Sequence, residues 1–117
     1  MIGIDIVSIE RFSRCISGEY GNSLLEKIFT VEELRSLVHG PVSRRAERLA
    51  GRFAVKEAII KASGGGLGIG DLTRIEIVND AKGSLHVTIR DSSRPAGEYE
   101  ISLSHDGGFA VGVAIRN

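Results

Sequence analysis

The sequence predicts an α+β domain in which one long helix packs on a curved, mainly antiparallel sheet. Three observations carry this expectation: helical patterning fills the first half of the chain, strand patterning fills most of the second, and the longest helical segment stops at Gly64-Gly65-Gly66. Helices and strands segregated along the chain favour α+β packing over alternating βαβ units. At 117 residues the chain has the usual size of one domain, so residues 1–117 are read as a single unit.

Residues 2–7 form a short β-branched run and read as a strand, followed by a helix from about residue 9 to 16. Gly18 and Gly21 then break the chain before a short helical segment near 23–28. Thr30-Val31-Glu32-Glu33 has the capping-box pattern, in which Thr30 and Glu33 satisfy each other's backbone donors. A further helix therefore begins at Val31 and stops at Gly40-Pro41. The long helix runs from near Ser43 to about Ser63. Beyond the glycine-rich stretch at 64–70, strands are predicted at 75–78, 85–89, 98–104 and 109–115. Turn chemistry at 80–83 and 105–108 joins them into two hairpins, and 92–97 is a longer polar connection.

An apolar fraction of 42% with 26% charged residues is ordinary globular composition. No apolar run approaches the roughly 18 residues of a membrane span, so no membrane partner is expected. The N-terminus carries an acid inside its apolar run and lacks a basic leader, which gives the expectation of a cytoplasmic address. The lone Cys15 excludes an internal disulfide and a zinc knuckle, and reads as a helix residue. Zero net charge argues against nucleic acid as a partner. The charge is nonetheless uneven. From Arg44 to Lys61 six cations stand against two acids. Either a solvated helix face or a partner with concentrated negative charge accounts for such a run.

On a helical wheel of about 100° per residue, Ala46, Leu49, Ala50, Phe53 and Ile60 share one apolar stripe, and Glu57 falls in its middle. A carboxylate so placed must be neutral, paired or metal-bound. Lys61, one turn on, is the candidate for an ion pair. Val55, Ile59 and Ala62 form a second apolar strip, which implies burial on more than one side of the helix. The first strand holds a second anomaly: Ile2, Ile4 and Ile6 alternate with Gly3, Asp5 and Val7, leaving an acid in an apolar strand. Two acids brought together raise each other's pKa unless a cation compensates. Oxygen-only ligands suit a hard ion such as Mg²⁺, which often takes one or two carboxylates, with water and substrate phosphate completing its shell. The glycine-rich stretch lies at a helix C-terminus, where carbonyls are exposed, and lacks the ending of a P-loop, so it reads as a helix stop. His105 reads as a turn residue at the end of its strand; His39 and His86 carry no pattern.

GIDIV at 3–7, LAGRFAVKEAIIKA at 49–62 and SLSH at 102–105 occur in an order and spacing that resemble the holo-acyl-carrier-protein synthase family of phosphopantetheinyl transferases. FTVEELR at 29–35 is similar to the second-helix segment of that family. The resemblance implies transfer of 4′-phosphopantetheine from coenzyme A to a serine of an apo acyl carrier protein. It implies Mg²⁺ held by Asp5 and Glu57, which with Lys61 form the catalytic set. It also implies that Arg52, Lys56 and Lys61 meet the coenzyme A phosphates, with Ser104 and His105 adding contacts, while Arg11 faces the carrier protein; Arg14, three residues on, shares that helix face and is a second candidate for the carrier contact. The nucleophile arrives with the carrier, and either a metal-bound water or a site carboxylate accepts its proton. Such proteins are typically homotrimers with sites between subunits. One departure stands out: where the family commonly has a Gly-Lys-Pro turn, this chain reads Lys82-Gly83-Ser84, so contacts of that turn with the adenine side are not carried over. Two other classes compete, a non-catalytic module that binds carrier protein or nucleotide, and a structural domain in which Glu57 and Lys61 form an ion pair.

Overall fold

The computed structural model describes residues 1–37, 39–90 and 98–117. Strand β1 (Ile2–Ser8) runs directly into α1 (Ile9–Ser17), where the Ser8 side chain caps the helix by accepting from Arg11 N at 3.2 Å. Two short helices, α2 (Gly21–Ile28) and α3 (Val31–Leu37), lead to the long α4 (Val42–Ala62). A 3-10 helix (Ile69–Arg74) then precedes β2 (Ile75–Asn79), β3 (Leu85–Ile89), β4 (Tyr99–Asp106) and β5 (Phe109–Arg116). The polar connection expected at 92–97 lies outside the described residues.

The α+β class holds, with one refinement. The strands form two antiparallel sheets, β1-β5-β4 and β2-β3, where a single curved sheet was expected. The first and last strands pair along their whole length, so the two ends of the chain close the larger sheet. Its register sets Asp5 opposite Gly112, and Gly112 opposite Leu103. Two glycines let α4 lie against this sheet almost backbone to backbone. A Cβ on Gly3 would sit 2.0 Å from the Ala58 carbonyl oxygen, and one on Gly112 would sit 2.5 Å from the Ala54 carbonyl carbon. This close approach brings the β1 acid up to α4.

Helix α4 is the hub of two cores. Val55, Ala58, Ile59 and Ala62 pack with Ile75, Ile77, Tyr99 and Ala114. Leu49 and Ala50 pack with Phe12, Phe29, Leu37 and Leu72. The strip Val55, Ile59 and Ala62 is therefore buried by the chain's own strands, as its second apolar face implied. The unpartnered apolar face lies elsewhere. Strand alternation turns Gly3, Asp5 and Val7 toward α4 and leaves Ile2, Ile4 and Ile6 about two-thirds exposed on the outer face of the sheet, beside Ile115 and Phe109. A single acid among isoleucines thus marks the inner face of β1, opposite to what apolar patterning alone suggests.

Helix α4 ends as the glycines require. Gly64 and Gly65 have φ of 62° and 94°, a left-handed conformation that ends helices, and the Arg116 guanidinium donates to the Ser63 carbonyl at 2.7 Å. The β4–β5 turn is tighter than expected. Gly107 and Gly108 both have positive φ, of 58° and 85°, which suits a two-residue hairpin, so β4 continues through Asp106. His105 is consequently a strand residue paired with Ala110, not a turn residue.

Candidate active site

Phe53, Glu57 and Lys61 recur every four residues on α4 and so stack on one face of the helix. Asp5 meets this face from β1. Lys61 Nζ donates to the Asp5 carboxylate at 2.9 Å and to the Ile4 carbonyl, also at 2.9 Å. Lys61, the alternative ion-pair partner of Glu57, is thus paired with Asp5 instead. Glu57 is left half-buried beside Asp5, with no described residue donating to it. Burial pushes its carboxyl above the usual carboxylate range, the Asp5 charge adds to the rise, and Lys61 opposes it.

Asp5, Glu57 and Phe53 line a cleft of about 370 Å³ that extends over Val7 to Arg11 and Cys15 on α1. Two carboxylates, one cation and an apolar floor share this space. No group of three or more metal-ligating side chains occurs among the described residues, so any ion here has two protein carboxylates and takes its other ligands from water or substrate. The donor set fits Mg²⁺: it is oxygen-only, and Lys61 is engaged by Asp5, so that no salt bridge among the described residues reaches Glu57. Among the described residues the cleft lining includes Arg11 but not the exposed Arg14 one turn on.

The remaining expected site residues are not gathered here. Lys56, expected to meet phosphate, is fully buried: its ammonium donates to Glu33 at 2.5 Å, to the Ile28 carbonyl at 2.7 Å and to the Leu72 carbonyl at 2.9 Å, and lies 5.1 Å from the centre of the Phe29 ring. An ammonium has three protons, and all three are used inside the protein. Lys56 is therefore withdrawn from the phosphate contacts. Burial pushes its pKa down, and Glu33 opposes that shift. In the sequence Glu33 is legible only as a capping residue. The cap is present, with Thr30 N to Glu33 Oε1 at 2.9 Å and Glu33 N to Thr30 Oγ1 at 3.1 Å. The same carboxylate also reaches the core, and the signal for that was the cation Lys56 on a buried flank of α4.

Arg52 projects from α4 on the side away from Glu57, into a second cleft of about 620 Å³. Arg48 from α4, Val78 and Asn79 from β2, and Glu32 and Ser36 from α3 share its walls. Arg52 is nearly buried, donates to the Asn79 side chain, and keeps its Nε without a hydrogen-bond partner. Asn79 passes the connection on by donating to the Gly83 carbonyl at 3.0 Å. Asp80 orders the 82–84 turn by accepting from Lys82 N at 2.8 Å and Ser84 N at 2.9 Å. His86, which carried no pattern in the sequence, pairs with Asp80 at 2.8 Å and, with those backbone donors, holds that carboxyl below its usual range. Ser104 and His105 point to opposite faces of the large sheet. Ser104 shares the outer face with Ile6 across Val111, whereas His105 shares the inner face with Val7 across Ala110.

Comparison with known proteins agrees with this arrangement. The family model described as the 4′-phosphopantetheinyl transferase superfamily matches residues 1–114. A holo-[acyl-carrier-protein] synthase of Chlorobium chlorochromatii is 42% identical, over 97% of either chain. One of Wolbachia from Drosophila simulans is 39% identical, over 97% of this chain and 94% of the relative. Among solved structures, the Helicobacter pylori holo-[acyl-carrier-protein] synthase in complex with coenzyme A superposes with a TM-score of 0.81 at 30% identity, covering 100% of both chains. The Bacillus anthracis enzyme in complex with CoA (3′,5′-ADP) gives a TM-score of 0.79 at 32% identity, covering 97% of this chain and 91% of the other. With a family match over residues 1–114 and a shared fold over its whole length, this chain belongs to the 4′-phosphopantetheinyl transferase superfamily.

Proposed function

We infer that this chain is a holo-[acyl-carrier-protein] synthase, which transfers 4′-phosphopantetheine from coenzyme A to a serine of an apo acyl carrier protein. The observation that carries the reading is the placement of Asp5 and Glu57 in one cleft, in a chain whose relatives are holo-[acyl-carrier-protein] synthases over nearly their full length. The serine oxygen attacks the phosphorus that bears the pantetheine arm. The bond from that phosphorus to the bridging oxygen of the pyrophosphate breaks, and adenosine 3′,5′-bisphosphate leaves.

Asp5 and Glu57 hold Mg²⁺ in this reading. The bound ion supplies positive charge to the pyrophosphate, on which negative charge grows as the leaving group departs. Lys61 fixes the Asp5 carboxylate toward the cleft and presents a half-exposed ammonium to phosphate oxygens. Arg11 borders the cleft and, with the exposed Arg14, offers a cationic approach for an acidic carrier surface. The serine proton passes to a water or carboxylate within the cleft.

Arg52 belongs to the coenzyme A site only when a second copy completes it, because α4 turns Arg52 and Glu57 to different sides. The outer face formed by Ile2, Ile4, Ile6, Phe109 and Ile115 supports such assembly, since an apolar sheet face of this kind is stable in water when covered. Ser104 lies on that same outer face and His105 at the rim of the inner one, which suits contacts with coenzyme A across a subunit boundary. The assembly is a homotrimer, with Asp5, Glu57 and Lys61 from one subunit facing Arg52 of a neighbour. The enzyme works in the cytoplasm; no helix among the described residues is long and apolar enough to cross a membrane.

The test is direct. Incubate the protein with coenzyme A, Mg²⁺ and a panel of apo acyl carrier proteins, and weigh each carrier by mass spectrometry. Addition of one phosphopantetheine to at least one carrier, dependent on Mg²⁺, is the expected result. No mass increase with any carrier overturns the reading.

A further inference from the structure

The walls of the Arg52 cleft come from three elements that are distant in sequence, and one carboxylate touches all three. Glu33 of α3 accepts from Thr30 N, at the start of its own helix, at 2.9 Å through Oε1. The same oxygen accepts from Lys56 of α4 at 2.5 Å, and Oε2 accepts from Ile77 N of β2 at 2.9 Å. Each contact lies next to a residue of the cleft wall. Glu33 follows Glu32 in α3, Lys56 lies one turn beyond Arg52 in α4, and Ile77 precedes Val78 in β2. Thr30 adds a second tie to β2 by donating to the Glu76 carboxylate at 2.7 Å. Lys56 also grips the end of α2 and the 3-10 helix through the Ile28 and Leu72 carbonyls.

We propose that Glu33, held by Lys56, is a positioning residue that fixes the spacing of α3, α4 and β2 and thereby shapes the Arg52 cleft for the phosphates of coenzyme A. This rests on the reading above that the cleft receives coenzyme A. Stability alone gives a weak reason for such a pair: Glu33 and Lys56 are both 0% exposed, and well-packed apolar side chains of similar volume commonly match or exceed a buried ion pair in stability. What an apolar pair cannot reproduce is direction. The carboxylate holds two backbone amides and an ammonium at hydrogen-bond distance, and so sets three elements in one register. Arg52 needs that register, because its guanidinium spans from α4 to Asn79 on β2.

Two variants test the role, Glu33→Gln and the double Glu33→Leu/Lys56→Met, with coenzyme A affinity read by calorimetry, KM and kcat by turnover, and folding by thermal denaturation. Both variants are expected to raise Kd and KM for coenzyme A by about tenfold or more, as misplacement by an ångström commonly does, while KM for the carrier protein stays within about twofold because α1 is not moved. The double variant removes both charges but leaves the Thr30 and Ile77 amides without their acceptor, so it is expected to fold with a melting temperature below wild type and not to recover coenzyme A affinity. Wild-type affinity in either folded variant overturns the proposal. Should Glu33→Gln fail to fold, the double variant decides by the same comparison. Arg52→Ala separates this idea from its premise. If Arg52→Ala binds coenzyme A as wild type does, the assignment of the cleft fails and the proposal with it. If Arg52→Ala weakens binding and the Glu33 variants do not, only the positioning role fails.

Discussion

Lys61 holds the Asp5 carboxylate at 2.9 Å and leaves Glu57, one turn earlier on the same helix, with no salt bridge among the described residues. The site therefore carries a negative charge that its own cation does not fully offset. That imbalance is what a divalent cation corrects, and it makes the behaviour of Glu57 measurable.

Glu57→Gln is expected to separate stability from activity. The folded-state pKa of Glu57 is raised, so the folded protein binds more protons than the unfolded chain just above the ordinary carboxylate range, and stability falls as pH rises through that window. At neutral pH the ionised group is therefore a burden on the fold. The variant should melt no lower than wild type at pH 7, while phosphopantetheine transfer falls by about a hundredfold or more, as the metal-holding role proposed for Glu57 implies. Thermal denaturation and carrier mass spectrometry read the two effects; a lower melting temperature with retained turnover contradicts both.

Lys61→Met should move the acid limb of the pH profile. Lys61 opposes the rise in the Glu57 pKa, so its removal lets that pKa climb further. The acidic limb of kcat/KM for coenzyme A is expected to shift to higher pH, with a lower plateau. An unshifted limb would mean that Glu57 does not govern it.

Lys56→Met alone leaves the Glu33 carboxylate buried without its cation. Breaking one side of a buried pair costs about 3–5 kcal/mol, so denaturant unfolding should show a loss of that order. A loss below about 1 kcal/mol would place the pair among surface-type interactions.

Gly3→Ala should lift β1 from α4. The added methyl group meets the Ala58 carbonyl oxygen at 2.0 Å, and backbone cannot step aside as a side chain can. Overpacking of this kind costs about 1–3 kcal/mol. Because Asp5 travels with the strand, activity should fall more than the folded fraction does, read as turnover per folded molecule.

Ile4→Glu tests the outer sheet face. Wild type is expected to sediment at three times the 12.6 kDa chain mass, and the variant as a monomer with activity reduced at least tenfold. A wild-type monomer with full turnover would remove the shared site.

Much of the fold was legible because its signals are local. The Thr30–Glu33 cap, the stop at Gly64-Gly65-Gly66 and the strand runs on either side of the Lys82-Gly83-Ser84 turn each depend on neighbours within a few residues. Glu57 was conspicuous for the same reason, since a helical wheel needs only one segment. The errors fall where distant segments decide. Lys56 reads as one more cation in a basic run until α3 brings Glu33 to it, and Lys61 sits at ion-pair spacing from Glu57 until β1 supplies Asp5.

The sequence by itself determined the α+β class, the family, and Asp5 and Glu57 as acids in apolar surroundings. Only the tertiary structure decided which cation each acid meets, that Ile2, Ile4 and Ile6 face outward while Asp5 faces α4, and that Arg52 opens into a cleft of its own. The reason is physical. Periodicity and capping are set by bonds to residues three or four positions away, whereas the partner of a buried charge is set by which elements the glycines at 3 and 112 allow to approach, and that distance is fixed only when the sheet closes on α4.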